Sequence, residues 1–168
     1  MREIQHVGRL LRKTHWAICL DMQKHNESLG LTSSQSFVLG YLTSRTLAED
    51  GAIYAKDVER YFHVKHSSVS GVLQRLEAKG FITFSQSEED RRCKAILLTQ
   101  KAYRVHEQIL SHIRETEEQI FSGMSDTEQE TFLRLLRKAA ENLTGSGDDP
   151  LPFFAGMQTE TPEKEVNV

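Results

Sequence analysis

A short helical segment carries polar side chains on the side opposite its apolar residues. Val69, Val72, Leu73 and Leu76 recur at the spacing of one helical face. The other face carries hydroxyl, amide and guanidinium groups, on Ser67, Ser68, Ser70, Gln74 and Arg75. Such groups form hydrogen bonds with phosphate oxygens and base edges, and the free N–H groups of a helix N-terminus favour a phosphate. The pattern indicates a nucleic-acid contact, and the alternative is a solvated polar helix face.

Basic residues are concentrated around this segment. Between Ala55 and Arg104 the chain has ten basic and six acidic residues, a net charge of +4. The rest of the chain has a net charge of −7, so the total is −3. Phosphate binding needs local positive charge, whatever the total charge. The basic residues that we expect to contact DNA are Lys56, Lys65, His66, Arg75, Arg91, Arg92 and Lys94.

A β-hairpin is predicted directly after the helix. Ile82 and Phe84 alternate with polar residues, a second strand is predicted from Cys93 to Leu98, and a polar, charged tip lies between them. An arginine at such a tip can enter a narrow minor groove, where the negative potential is enhanced. Asp90 could hold that guanidinium in one pose through a bidentate pair. The alternative is a surface ion pair that contributes little to stability.

The elements that position these side chains form a winged helix-turn-helix. A helix from Ala55 to Phe62 and a turn at residues 63–65 precede the polar helix, which is typical of a helix-turn-helix. Gly80 is a candidate C-terminal cap. Thr32 and Gln35 have the spacing of a capping box, ahead of a helix from about Ser33 to Thr43. The predicted fold is therefore mainly α-helical, with a small β-hairpin wing.

Amphipathic helices are predicted at both ends of this lobe. One runs from about Arg2 to Glu27, and two more run from 100 to 121 and from 125 to 143. Their apolar faces exceed what a winged domain could cover, so we expect them to pack between two chains, with internal packing as the alternative. The predicted domain is 1–143, with dimerisation helices at 1–30 and 100–143 and a DNA-binding lobe at 31–99. Residues 144–168 are predicted to be a flexible acidic tail.

Two runs of sequence resemble a known family. The run from Val69 to Ile82 is similar to the recognition helix and its exit, and the run from Asp90 to Thr99 is similar to the wing, of MarR-type winged helix-turn-helix regulators. The resemblance implies an obligate homodimer on a palindromic DNA operator, with recognition helices in major grooves and wings in minor grooves. It gives Arg92 the minor-groove role, with Asp90 as its supporting acid. It also implies a repressor that releases DNA when a small phenolic or lipophilic effector binds. Gly71 stands where the family commonly has an arginine.

Cys19 and the histidines allow functions other than duplex binding. Cys19 is a candidate redox sensor, because the peroxide-sensing branch of the family has a cysteine on this helix, and its alternative is a buried interface residue. His15 and Cys19 have i, i+4 spacing but no second close pair of metal ligands. A winged-helix module that binds proteins and not DNA is a further alternative.

We expect no enzyme activity, since the sequence has no phosphate loop, nucleophile elbow or zinc motif. We also expect no bound metal and no cofactor. With no membrane-spanning segment or signal peptide, a cytoplasmic protein is expected.

Overall fold

The computed structural model describes residues 6–48, 51–86 and 94–144. Helix α1 is Val7–Ser28, α2 is Ser33–Leu47, α3 is Ala55–Phe62 and α4 is His66–Ala78. Strands β1 (Ile82–Gln86) and β2 (Lys94–Leu98) follow, and then α5 (Gln100–Phe121) and α6 (Asp126–Thr144). The mainly α-helical fold with one β-hairpin is as the sequence predicts.

Helix α2 begins and helix α4 ends where the sequence places capping residues. The Thr32 hydroxyl accepts a hydrogen bond from the Gln35 N–H, and the Gln35 side chain accepts one from the Thr32 N–H, which completes the predicted capping box. At the end of α4, Gly80 has φ of +73°, and the Phe81 N–H donates to the Leu76 carbonyl. This is a Schellman cap, in which glycine adopts the left-handed conformation without steric cost.

One core joins the helices of the lobe to the hairpin. Leu39 and Leu42 of α2, Val58 of α3 and Leu73 of α4 are fully or almost fully buried in it, together with Phe81 at the start of the wing. The apolar stripe that the sequence assigns to α4 thus faces inward, because burying that stripe is the main gain in packing a short helix.

The wing is an antiparallel hairpin in which Ile82 pairs with Leu98 and Gln86 with Lys94. An isolated bridge joins Ile53 to Ile96, whose N–H donates to the Ile53 carbonyl at 2.8 Å. The bridge ties the segment before α3 to the wing, and the sequence pattern did not predict it. The second predicted strand began at Cys93, which lies outside the described residues, as do the tip residues 87–92.

Two helix limits differ from the prediction. Helix α2 continues to Leu47 and not to Thr43, because the hydroxyls of Thr43 and Thr46 donate to the carbonyls of Leu39 and Leu42 and so fit within the helix. Helix α1 is described from Val7, since residues 1–5 lie outside the described part of the chain. The predicted tail lies beyond the described residues from 145 onward, and the predicted domain limits stay predictions.

The terminal helices leave large apolar surfaces uncovered within one chain. Met22 in the C-terminal half of α1 and Leu29 just after the helix pack against the core, but every residue from Val7 to Ala17 is exposed. All residues of α6 from Phe132 to Leu143 are exposed, and Leu135 keeps 51% of its surface accessible. The alternative of complete internal packing is therefore wrong for α6.

Candidate nucleic-acid interface

Helices α3 and α4 are joined by a three-residue turn that fixes their relative direction. The Tyr54 N–H donates to the Asp57 carboxylate at 2.9 Å, which fixes the start of α3. His63 ends it in the left-handed conformation with φ of 52°, and the Val64 N–H donates to the Glu59 carbonyl. The described residues thus contain the predicted helix-turn-helix.

Helix α4 presents the predicted polar face to solvent. His66, Ser67 and Ser68 are exposed in its first turn, Gln74 and Arg75 are exposed further along, and Ser70 is half-buried. Lys65 precedes the helix without a side-chain cap, which leaves N–H groups of the first turn available to an anion. The arrangement suits a helix that enters a DNA groove, with hydrogen-bond donors on the face that meets the bases.

A contact between α3 and α4 holds His66 in place. Its Nδ1 lies 2.7 Å from the Glu59 carboxylate, and its Nε2 lies 3.3 Å from the Ser70 hydroxyl. The imidazole therefore bridges the two helices on the exposed face of the motif. Sequence reasoning assigned His66 to DNA but missed Glu59, because no local pattern links residues seven positions apart across a turn.

The predicted lysines lie on the elements that flank α4. Lys56 is exposed on α3, with its ammonium 5.4 Å from the centre of the Tyr54 ring, and Lys65 is exposed in the turn. Lys94 is exposed at the start of β2. Asp90, Arg91 and Arg92 lie outside the described residues, so their roles stay predictions. The lysines border α4 on the α3 side and at the wing, which is the distribution that phosphate contacts flanking a groove require.

Cys19 is an exposed free thiol on α1. Its Sγ lies 3.4 Å from the Nε2 of His15, which is also exposed. Among the described residues, no group of three or more His, Cys, Asp or Glu side chains is placed to hold a metal ion. The pair has the geometry of a thiol–imidazole hydrogen bond. Within the single chain Cys19 is exposed, so it is not the buried residue that the alternative interpretation expects there.

A histidine cluster joins α1 to α5, and the sequence did not indicate it. The rings of His25 and His112 stack with centroids 4.0 Å apart, and the His112 Nε2 lies 2.8 Å from the Asp21 carboxylate. Burial and the neighbouring His112 lower the pKa of His25, and burial lowers the pKa of His106. For His25 and His106 the lowered pKa favours the neutral imidazole.

No helix among the described residues is long and apolar enough to cross a membrane.

Comparisons with known proteins agree with this geometry. A family model of the MarR family matches residues 31–94. YwoH of Bacillus subtilis (strain 168), an uncharacterised HTH-type transcriptional regulator, is 32% identical over 131 residues, which cover 76% of this chain and 91% of that protein. BadR of Rhodopseudomonas palustris, a transcriptional activatory protein, is 32% identical over 81 residues, which cover 48% of this chain and 45% of that protein.

Solved structures share the fold. A MarR family transcriptional regulator of Clostridium acetobutylicum aligns with a TM-score of 0.69 and 26% identity, over 82% of this chain and 98% of that chain. The MepR–DNA complex of S. aureus aligns with a TM-score of 0.69 and 25% identity, over 81% of this chain and 98% of that chain. The similarity to YwoH extends over almost the whole of that regulator, and the family model spans α2, α3, α4 and β1 and ends at the first residue of β2. The chain therefore belongs to the MarR family of DNA-binding transcriptional regulators.

Proposed function

We propose that this protein is a homodimeric regulator that binds a palindromic duplex operator, with α4 in the major groove and the wing in the flanking minor groove. The observation that carries the proposal is the two-sided α4, whose apolar residues are buried in the lobe while its donors face solvent. The MepR structure in complex with DNA supports it, because it shares this fold. A two-fold dimer would place two such helices on two half-sites.

The proposed contacts divide into phosphate and base contacts. Lys56, Lys65 and Lys94, with the N-terminus of α4, would bind phosphates and set the position on the duplex. The side chains proposed to meet base edges or phosphates are His66, Ser67, Ser68, Ser70, Gln74 and Arg75. Arg75 suits guanine, since its fork can bond the O6 and N7 atoms together. Arg92, supported by Asp90 and flanked by Arg91, is proposed for the minor groove.

The dependence of binding on salt tests DNA binding against the alternative of a protein-binding module. The probes are sheared genomic duplex and duplexes selected from a random library by the purified protein. Neutralising six to ten phosphates in total gives a slope of log affinity against log salt of about −5 to −9. A flat salt response with both probes would reject DNA binding and favour the protein-binding module.

The homodimer is proposed on the uncovered faces of α1 and α6. Phe132, Leu133, Leu135 and Leu136 form a continuous exposed apolar surface on α6, and a second copy of the same surface is a partner of matching chemistry. Leu136→Glu should halve the mass measured by light scattering, because a carboxylate would be buried without a partner. Arg137→Glu, at an exposed neighbouring position, is the control that should leave the mass unchanged.

The proposed effector is a small phenolic or lipophilic molecule that enters between the dimer helices and the lobe and releases the operator. Titrating a phenolic carboxylate and a short fatty acid into the protein–duplex complex tests release directly. A reporter gene downstream of the selected duplex determines the sign of regulation. We propose repression in the cytoplasm, whereas the relative BadR is named as an activator.

A second candidate is a thiol-responsive regulator. The exposed Cys19 beside His15 favours it, because an accessible thiolate can attack an oxygen of hydrogen peroxide. The thiolate would be oxidised to a sulfenic acid while the peroxide is reduced to water. Duplex binding before and after peroxide, with Cys19→Ser as control, tests this: an equal loss in both proteins, or no loss in either, would reject the role.

A further inference from the structure

Lys79 follows the last residue of α4, and its side chain points toward the corner between α1 and α2. Its Nζ donates to the Gly30 carbonyl at 2.6 Å and to the Gln35 Oε1 at 2.8 Å. Both acceptors are more than forty positions away in sequence. The lysine thus joins the end of α4 to the corner between α1 and α2.

That corner is rigid because both of its helices are capped there. Gly30 has φ of +72° and closes α1, and the Leu31 N–H donates to the Asn26 carbonyl. Gln35 is 2% exposed, and its Oε1 also accepts the Thr32 N–H of the capping box. The ammonium of Lys79 therefore binds an oxygen at the negative end of the α1 dipole and an oxygen that is already fixed.

The opposite side of the same helix end is fastened to α5. The Lys101 Nζ donates to the Lys79 carbonyl at 2.8 Å and lies 4.4 Å from the centre of the Phe81 ring. The Thr99 hydroxyl donates to the Gly80 carbonyl at 2.8 Å. Carbonyls at the end of α4 that have no partner within the helix are thus satisfied from α5, while the Lys79 side chain reaches the corner of α1 and α2.

We propose that Lys79 is a positioning residue that sets the orientation of α4 relative to the dimerisation helices and does not contact DNA. The proposal rests on the proposed function, since a fixed orientation matters when two recognition helices must match two half-sites. Lys79 contributes a positive charge to the lobe, but that charge is used within the protein. Its removal should loosen α4 without removing a phosphate contact.

The first test measures the orientation without DNA. Spin labels at Gln74→Cys on α4 and Glu118→Cys on α5, both exposed positions, report one distance within the chain. The background carries Cys19→Ser and Cys93→Ser, and labelled protein is exchanged with an excess of unlabelled protein. We expect a narrow distance distribution for the parent and for Lys79→Arg, which keeps a donor, and a broader one for Lys79→Met. A distribution for Lys79→Met as narrow as the parent's would overturn the proposal.

The second test separates positioning from phosphate binding. On a duplex selected by the parent, Lys79→Met should weaken binding roughly tenfold, because α4 is then held less firmly in the orientation that the half-site requires, and the salt slope should be unchanged. The control Lys65→Met should make the slope shallower by about 0.9, because it removes a phosphate contact. A shallower slope for Lys79→Met would overturn the proposal in favour of a direct contact. If no duplex is selected, the proposed function fails, and the spin-label distances still decide the role of Lys79.

Discussion

Two glycines of the recognition region should respond in opposite ways to the same substitution. Gly71 lies inside α4 with helical φ, and Gly80 follows α4 with φ of +73°. A Cβ added at either position would meet no other atom within 4 Å. Steric clash is thus the same at both sites, and backbone conformation alone distinguishes Gly71→Ala from Gly80→Ala.

The magnitudes follow from that conformation. Alanine in a helix interior is more stable than glycine by about 0.5–1 kcal/mol, since less backbone entropy is lost on folding. An L-residue held in the left-handed conformation costs roughly 1–2 kcal/mol. Gly71→Ala should raise the melting temperature by about 1–4 °C, given a shift of roughly 2–4 °C per kcal/mol for domains of this size. Gly80→Ala should lower it by about 2–8 °C on the same scale.

Urea denaturation followed by circular dichroism measures both free energies of unfolding. Equal m-values for the parent and both variants would show that the substitutions leave the surface exposed on unfolding unchanged, so that the midpoints compare stabilities directly. A loss of stability in Gly71→Ala, or no loss in Gly80→Ala, would refute the reasoning. Gly71→Arg extends the test to function: Gly71 lies on the outer face of α4, so an added guanidinium should steepen the salt slope of duplex binding by about 0.9.

Three further predictions concern the supports of the site. Thr99→Ala should lower the free energy of unfolding by about 1–2 kcal/mol in urea denaturation, because Thr99 caps α5 and also bonds the Gly80 carbonyl, whereas Thr99→Ser should restore most of it. The free energy of unfolding should fall as the pH drops below about 6.5, since the lowered pKa of His25 makes the unfolded chain bind the proton first. Denaturation at pH 7.5 and 5.5 should show a smaller fall in His25→Gln, and an unchanged fall would assign the effect elsewhere. Glu59→Gln should alter duplex affinity without altering dimer mass, because Glu59 holds His66; an unchanged affinity would separate His66 from binding.

The sequence predicted those features that depend on local pattern. Periodicity or spacing within a few residues identifies three such features: the apolar stripe of α4, the Gly80 cap and the Thr32–Gln35 capping box. The contacts that organise the site are different: Lys79 to Gly30, His66 to Glu59 and His25 to His112 join separate elements. Their partners are ordinary polar residues, which carry no signal until the chain is folded.

In the proposed dimer, α6 would link dimerisation to stability and to DNA binding. None of the α6 residues whose burial the structure describes is buried, and such a helix gains little from its own chain, since most helical stability in proteins comes from a packed apolar face. The stability of α6 in the proposed dimer would depend on protein concentration, because dilution lowers the fraction of dimer. The same dilution would separate the two α4 helices that the dimer holds at a fixed distance. Dilution should therefore lower the melting temperature and the duplex affinity over the same concentration range. A melting temperature independent of concentration, together with a dimeric mass at every dilution tested, would show that the interface is too strong to limit either property.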